Sequence, residues 1–425
     1  MTFSHAPQEP VTTTAPDSWT VRTIDEAEIP AFRQVASEAL NIPLARQRIP
    51  LSQELIDSGR ALAADLDGHI VGTTVAHPFT MTLPGGPRPV AGVSAVGVSP
   101  THRRRGALSA LMRRQLADLR SGNEAVAALF ASEGGIYRRF GYGPASRAGR
   151  VVVRVREAAL RRDVPRDPGL RIRLCDPEDV REQLGSVHRA AALERVGEFQ
   201  RDGHWWDKVL SDSQDQQDGC TGLRCALVEG DQGPQGYALY RVKQQWDEHW
   251  VADSRLWLRE VYATTPAARA LLWEHVLTRD LVSTVTADSL ARDDALYWLL
   301  SDPHQARTTV SHGLWVRLVD VRRALEQRSY AAPVDMTLEV TDATCPENAG
   351  RWHLSAGPDG AHCASTDRGA DLSVDVAELG AAYLGDVRLG SHRAAGLLTE
   401  HTDGAVERLD TALSRSADAH CRLVF

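Results

Sequence analysis

The hydrophobic pattern is sharpest between residues 93 and 142, where a strand period gives way to a helix period. Residues 93–98 form a β-branched run that predicts a short buried strand. A basic, glycine-ended segment, Arg-Arg-Arg-Gly, follows at residues 103–106. From Ala107 apolar residues recur at helical spacing until a Ser-Gly pair at residue 121 ends the pattern. The stretch therefore predicts a strand, a glycine turn and a helix.

A second strand and a short helix complete this stretch. Residues 125–131 are apolar and predict the strand beside the first one. The sequence Ser-Glu-Gly-Gly at residues 132–135 then leads into a short helix that carries Tyr137.

A strand, a glycine turn and a helix bring backbone N–H groups and the positive end of a helix dipole to one point. That arrangement predicts an anion site suited to a pyrophosphate, and the arginines of the turn add charge that binds phosphate. From the turn alone, a solvated basic helix start is an equally good interpretation. Neither a Walker A ending nor a G-x-G-x-x-G fingerprint is present.

The chain on either side of this stretch predicts further strands and helices. Residues 21–24 predict a first strand, Asp25 a helix cap, and residues 51–62 a second helix. Residues 61–76 predict a hairpin around an Asp-Gly turn. A similar hairpin is predicted at residues 226–240, which indicates a degraded internal repeat.

The second strand-and-helix unit of that repeat, at residues 256–277, has Thr-Thr-Pro where the basic glycine turn would stand. We therefore predict that this second unit binds no pyrophosphate. Eight of the ten tryptophans lie between residues 205 and 315. Core and interdomain packing is the favoured interpretation, and a substrate cleft or a subunit contact is the alternative.

The last part of the chain predicts a third unit. Asp320 is predicted to cap a helix over residues 321–328, and residues 371–385 pass from an alternating strand into an amphipathic helix. The final residues, Cys-Arg-Leu-Val-Phe, are unusually apolar for a terminus, so we expect the chain end to be packed.

Composition limits the functional classes. A chain of 425 residues with 43% apolar residues predicts a soluble protein of two or three domains. A net charge of −8 argues against nucleic-acid binding. Residues 1–18 lack the pattern of a signal peptide and predict a disordered tail, and no apolar run is long enough for a membrane span. Six scattered cysteines predict reduced thiols without a structural metal. We therefore expect a cytoplasmic protein.

Two motifs carry a resemblance to a known family. Arg103 and Gly106, with their flanking strand and helix, resemble the R/Q-x-x-G-x-G/A signature of GCN5-related N-acetyltransferases (GNAT), although Leu108 stands at its sixth position. The longer strings VGVSPTHRRRG and ASEGGIYRRFGYGPA closely resemble the enhanced intracellular survival (Eis) family, which acetylates aminoglycosides at several amines.

The resemblance implies an α+β fold class, with tandem GNAT folds followed by a sterol-carrier-protein-like α/β domain. It implies a catalytic acetyl-CoA-binding domain at residues 19–155, a degenerate GNAT-like domain at 156–313, and a sterol-carrier-like domain at 314–425 whose end enters the active site. A homo-oligomer, a hexamer by resemblance, is also expected.

The resemblance also assigns candidate site residues. Tyr137 matches the family's general acid; its phenol, with an ordinary pKa of about 10, suits protonation of a leaving thiolate. The carboxylate of the last residue, Phe425, would be the base, although its ordinary pKa of about 3.5 requires a desolvated pocket or a water relay. The acetyl-CoA contacts would be Val96, Gly97, Val98, Arg104, Arg105, Gly106, Ala107, Leu108, Ser109, Ser132 and Glu133.

The leading functional hypothesis is an acetyl-CoA-dependent N-acetyltransferase acting by direct attack on amines of aminoglycoside-like or other polyamine small molecules. An N-acetyltransferase acting on protein lysine or on a biosynthetic amine is the alternative. A non-catalytic lipid- or ligand-binding protein is a third hypothesis, which the combination of arginine turn and Tyr137 disfavours.

Overall fold

Three β-sheets with flanking helices organise the chain. The structure is a computed structural model that describes residues 19–44, 50–192 and 194–425. In chain order the strands are β1 Thr20–Thr23, β2 Ala61–Leu66, β3 His69–Leu83, β4 Gly86–Val98, β5 Val126–Phe130, β6 Gly143–Pro144, β7 Arg147–Arg154, β8 Arg171–Cys175, β9 Arg224–Gly230, β10 Gly233–Lys243, β11 Ser254–Ala263, β12 Val282–Leu290, β13 Arg307–His312, β14 Leu314–Leu318, β15 Val334–Thr341, β16 Gly350–Gly357, β17 Gly360–Ser365, β18 Leu372–Asp375 and β19 Leu398–Glu400. The helices are α1 Ile29–Leu40, α2 Gln53–Asp57, α3 Ala107–Arg120, α4 Gly134–Tyr137, α5 Arg181–Ala192, α6 Gly203–Leu210, α7 Gln214–Gln217, α8 Pro266–Leu277, α9 Leu296–Leu299, α10 Val321–Gln327, α11 Val376–Ala382, α12 Leu389–Ala394 and α13 Ala405–Leu413.

The first sheet has the order β1-β2-β3-β4-β5-β14-β6. Its neighbouring strands are antiparallel except for β4 and β5, which run parallel and are joined by α3. The apolar face of α3 packs on this sheet through buried side chains such as Leu111 and Leu116, as the helical spacing predicts. The predicted hairpin, strand, turn and helix are therefore confirmed in this sheet.

The second sheet repeats the plan with the order β13-β7-β12-β11-β10-β9-β8. Its parallel pair is β11 and β12, joined by α8. The third sheet is smaller, with the order β17-β16-β15-β18-β19, and packs against α10 and α13. Mixed sheets with helices on their faces confirm the α+β class.

The first two sheets exchange strands. β7, which falls inside the predicted domain 19–155, pairs with β12 and β13 of the second sheet. β14, which opens the predicted domain 314–425, inserts between β5 and β6 of the first sheet. The chain thus crosses between the sheets twice. By sheet membership, β7 belongs with the second unit and β14 with the first, whereas the predicted boundaries place them in the first and third units.

The two crossings meet at Ser146 and Gly313. Ser146 Oγ accepts a hydrogen bond from the N–H of Leu314 at 2.9 Å, and Gly313 N–H donates to the Ser146 carbonyl at 2.8 Å. A Cβ on Gly313 would stand 2.6 Å from Ser146 Oγ, so a side chain there would push this hydroxyl away from its hydrogen bond with Leu314. The pairing fixes the two sheets side by side.

Some local predictions differ from the structure or lie outside it. The helix predicted for residues 51–62 is confined to α2, because Ala61 already pairs with β3. The prediction for residues 1–18 lies outside the described residues. Within the described ranges no helix is long and apolar enough to cross a bilayer. All six cysteines are free thiols.

Candidate active site

A cleft of about 750 Å³ opens where β4 and β5 separate. The two strands pair only through Ala91 with Ala127 and Gly92 with Ala128. Beyond Gly92 a bulge sets Ala95 and Val96 against a single residue of β3, and Ala95 has a φ of 51°. The described residues that line the cleft are Ala39, Leu40, Asn41, Ile42, Val93, Ser94, Ala95, Val96, Phe130, Ala131, Ser132, Glu133, Tyr137, Lys208, Arg259, Val424 and Phe425.

The glycine turn leads from the end of β4 to the start of α3. Arg104 has a φ of 62° and Gly106 a φ of 98°, so the turn passes twice through the left-handed region. No side chain caps α3 at Gly106, which leaves the first N–H groups of the helix open to a ligand. Trp19 Nε1 donates to the Arg105 carbonyl at 2.8 Å and holds the turn from outside. The geometry fits the predicted pyrophosphate site.

The matching position of the second sheet is closed. The hydroxyl of Thr265, the residue before α8, accepts a hydrogen bond from the N–H of Ala268 at 3.2 Å. That side chain satisfies a donor that an anion would otherwise use. The start of α8 thus differs from the uncapped start of α3, and the absence of pyrophosphate binding in the second unit stays a prediction.

Tyr137 ends the short helix α4 and is buried at the edge of the cleft. Burial, with the nearby charge of Glu133, raises the pKa of its phenol to about 12. Its ring packs edge-on against Tyr142 at 6.1 Å between centroids. The phenol is therefore protonated at neutral pH, and Tyr137 lines the cleft.

Phe425, the last residue, lines the same cleft. Its ring is buried among other aromatic rings, at centroid distances of 4.8 Å to Phe79, 5.3 Å to Phe130 and 5.8 Å to Phe199. Trp205 closes the cluster. The predicted packing of the chain end is confirmed, and Phe425 and Tyr137 line the same cleft.

The C-terminal tail, defined here as residues 419–425, is held by the segment between α5 and α6, by α6 and by β11. The N–H of His420 donates to the Val196 carbonyl at 2.8 Å. The N–H of Arg422 donates to Glu198 Oε1 at 3.2 Å, and Arg422 Nε donates to the Arg259 carbonyl at 3.1 Å. These contacts fix the main chain of the tail from several sides.

The predicted site residues divide into two groups. Val96, Ser132, Glu133, Tyr137 and Phe425 line one cleft. The other group, comprising Gly97, Val98, Arg104, Arg105, Gly106, Ala107, Leu108 and Ser109, lies outside that lining, along the end of β4, the turn and the start of α3. Gly97 packs tightly, since a Cβ there would stand 2.7 Å from Ala39 Cβ.

Sequence reasoning missed two side chains of the cleft, Lys208 on α6 and Arg259 on β11. Both come from the second unit, which packs its α6 and β11 against the tail. Neither stands in a motif, and no local pattern could have indicated them. In the described parts of the chain, no group of three or more His, Cys, Asp or Glu side chains is arranged to hold a metal ion.

Comparison with known families agrees with this architecture. The family description "Acetyltransferase (GNAT) domain" matches residues 20–145, and a second family with the same description matches residues 197–322. The description "Sterol carrier protein domain" matches residues 321–422. These matches confirm the prediction of two acetyltransferase folds followed by a sterol-carrier-like domain.

Whole proteins of similar sequence and structure are also known. N-acetyltransferase Eis of Mycobacterium tuberculosis is 35% identical over 356 residues, covering 81% of this chain and 83% of that protein. An uncharacterized N-acetyltransferase of Streptomyces avermitilis is 39% identical over 374 residues, covering 87% and 90%. The crystal structure of Eis1 from Mycobacterium abscessus matches with a TM-score of 0.81 at 31% identity, covering 96% of this chain and 100% of that one.

Proposed function

Since this chain belongs to the Eis family of N-acetyltransferases, we propose that it transfers an acetyl group from acetyl-CoA to an amine of a small molecule by direct attack. One observation carries the proposal. Tyr137 and the carboxy-terminal Phe425, which are far apart in the sequence, line the same cleft where β4 and β5 separate. A proton donor and a proton acceptor would thus stand on opposite sides of a reacting thioester.

Each residue has one part in the proposed reaction. Acetyl-CoA supplies an activated thioester; as the amine nitrogen bonds to its carbonyl carbon, the carbon–sulfur bond breaks. The terminal carboxylate of Phe425 takes the proton that the amine loses, and the Tyr137 hydroxyl gives a proton to the departing sulfur. Backbone N–H groups of residues 96–98 would stabilise the negative charge on the carbonyl oxygen.

The arginine turn would hold acetyl-CoA in place. Arg104 and Arg105, with the N–H groups from Gly106 to Ser109, would bind the pyrophosphate, while Ser132 and Glu133 would contact its pantetheine or adenine side. The uncapped start of α3 supports this assignment. We propose that acetyl-CoA binds in the unit 19–155 and that the unit 156–313 binds none. The unit 314–425 supplies the chain end.

Two classes of acceptor are tested together. The family resemblance and the net charge of −8 favour aminoglycoside-like or other polyamine molecules. A biosynthetic amine or a protein lysine is the second candidate. The biosynthetic amine is favoured because Lys208 and Arg259 line the cleft, where they could bind an anionic group of a small acceptor. The proposal also includes a homo-oligomer in the cytoplasm, with the exposed rings of Trp250 and Trp298 as candidate contacts that sedimentation velocity can test.

The experiment is thiol release from acetyl-CoA with kanamycin, spermidine, a lysine peptide and simple amino acids as acceptors. We expect release with at least one amine, a product heavier by one acetyl group for each modified amine, and loss of release in Tyr137→Phe. Failure of acetyl-CoA to bind in calorimetry would rule out the enzyme and leave the lipid- or ligand-binding alternative.

A further inference from the structure

The charges around the cleft are unevenly placed. Among the described residues that line it, the charged side chains are Glu133, Lys208 and Arg259. Glu133 lies on the Tyr137 side, is largely exposed, and stands 3.9 Å from Arg103. The two cations lie on the other side, with Val424 and Phe425. The acceptor end of the cleft therefore carries two positive side chains beside the terminal carboxylate of Phe425.

Lys208 is a partly buried cation with unused hydrogen-bonding capacity. Its Nζ donates to the Val424 carbonyl at 2.9 Å and lies 5.1 Å from the ring centre of Trp205. An ammonium has three donors, so this leaves donors for a further partner. Burial, together with the nearby charge of Arg259, lowers its pKa to about 8. A bound anion would relieve this cost.

Arg259 adds a second cation, and among the described residues its guanidinium donates to carbonyl groups. Its Nη atoms lie 2.9 Å from the Lys208 carbonyl and 3.4 Å from the Ser211 carbonyl, where they cap the end of α6. Burial lowers its pKa as well. The nearest carboxylates are engaged elsewhere, since Glu260 pairs with Arg201 and Asp212 pairs with Arg241.

The described part of the chain supplies neither cation with a carboxylate partner. No ion pair within 4.0 Å joins Lys208 or Arg259 to an acidic side chain or to the chain terminus in the described ranges. Buried charges are costly unless they are paired, and a polycationic acceptor would add more positive charge at the same place. An anionic group at this end would instead form charge-assisted hydrogen bonds.

We propose that the acceptor carries an anionic group, a carboxylate or a phosphate, next to its amine, and that Lys208 with Arg259 binds that group. The inference rests on the proposed acetyl transfer. It selects the second candidate acceptor, a biosynthetic amine that is amino acid-like or phosphorylated, over aminoglycoside-like polyamines. The rings of Phe130 and Phe425 on the same lining suit an apolar body between the two polar ends.

Matched acceptors separate the anion from the rest of the molecule. Phenylalanine and 2-phenylethylamine differ by a carboxylate, and phosphoethanolamine and ethanolamine differ by a phosphate. We expect kcat/KM to be at least about 10-fold higher for the anionic member of one pair, and the better pair identifies the source of the anion. Equal rates within both pairs, or faster acetylation of kanamycin than of every anionic amine, would overturn the inference.

Variants assign the preference to Lys208. In Lys208→Met we expect the preference within the pair to fall to about 3-fold or less, and Lys208→Arg should restore part of it. Lys243→Met, which changes the other lysine of the chain, should keep the full preference. If Lys208→Met only displaces the C-terminal tail, acetylation of the anionic and of the neutral acceptor should slow equally. An unchanged ratio of their kcat/KM values would therefore show that Lys208 only holds the tail.

Calorimetry keeps the inference testable if no acceptor is turned over. N-acetylphenylalanine and N-acetyl-2-phenylethylamine present the same body with and without the anion. Tighter binding of the former to the wild type, and its weakening in Lys208→Met, supports the anion site even without turnover. Equal binding of the two compounds overturns it, whereas absent thiol release with intact acetyl-CoA binding counts against the proposed function alone.

Discussion

The carboxylate of Glu198 accepts a hydrogen bond from the main-chain N–H of Arg422 at 3.2 Å and so ties the C-terminal tail to the second unit. The same oxygen accepts the Tyr262 hydroxyl at 2.8 Å. Burial alone would raise the pKa of Glu198, but the His420 ring, 3.8 Å from Oε1, and the charge of Arg201 lower it to about 2. The tail is thus held by a group that stays ionised at neutral pH.

Glu198→Gln should loosen the tail. We expect the free energy of unfolding to fall by about 1–3 kcal/mol, because a buried charge-assisted contact is lost. Amide hydrogen exchange in residues 419–425 should rise and kcat should fall, while the Kd of acetyl-CoA stays unchanged. Glu194→Gln, at an exposed neighbouring carboxylate, is the control. Unchanged protection of the tail in Glu198→Gln would contradict this account.

Removal of the Tyr137 hydroxyl should affect the chemical step. Tyr137→Phe keeps the packing of the ring, so we expect little change in Tm. The proposed proton transfer to sulfur would be lost, and kcat should fall by about 10²–10⁴-fold. Because the pKa of this phenol is raised to about 12, the wild type should show no alkaline loss of kcat from this group below pH 10. A normal kcat in the variant would exclude Tyr137 as the acid.

The arginine turn should control the affinity for acetyl-CoA. Arg104→Ala should weaken binding by about 1–3 kcal/mol, the cost of one charge-assisted contact to phosphate, and more salt should reduce the difference. Arg113→Ala, at an exposed position further along α3, is the matched control. Calorimetry with acetyl-CoA measures both. Equal losses in the two variants would indicate a general charge effect and no specific turn.

Two buried histidines should make the protein labile in acid. Burial, with smaller effects of nearby cations, lowers the pKa of His77 to about 3 and that of His188 to about 4. The unfolded chain takes up protons at these positions below about pH 6.5, whereas the folded chain does not. Above pH 6.5 the two histidines should therefore not reduce the free energy of unfolding. As the pH drops toward 4, this free energy should fall by about 1.4 kcal/mol per pH unit for each histidine.

Urea unfolding between pH 7.5 and pH 4.5 measures this loss. In His188→Gln the free energy of unfolding should depend less steeply on pH, by the contribution of one histidine. This should hold even if the variant is less stable at every pH. His69→Gln, at an exposed histidine, should leave the slope unchanged. Parallel slopes for wild type and His188→Gln would show that His188 does not contribute.

The parts of the site that local sequence encodes were predictable. The turn at Arg104 and Gly106 and the helix α3 follow from spacing and glycine, whereas Tyr137 was assigned through the family resemblance. Asp320 was likewise predicted as a helix cap, and its side chain accepts the N–H of Arg323 at 3.0 Å. Such features depend on residues a few positions apart.

The parts that depend on distant pairing were not predictable. The exchange of β7 and β14 between sheets is decided by which edges meet in space, and a strand pattern fits either sheet equally well. Lys208 and Arg259 reach the cleft only because α6 and β11 pack against the tail. Of the tryptophans, Trp205 joins the aromatic cluster around Phe425, whereas Trp250 and Trp298 are exposed.

In the proposed mechanism, the carboxylate of the last residue accepts the amine proton in the cleft that Tyr137 also lines. The most direct test adds one glycine after Phe425, which keeps the aromatic ring and moves the carboxylate by one residue. We expect kcat to fall by about 100-fold or more, while the Kd of acetyl-CoA and the Tm stay unchanged. A glycine-extended enzyme with wild-type kcat would contradict it.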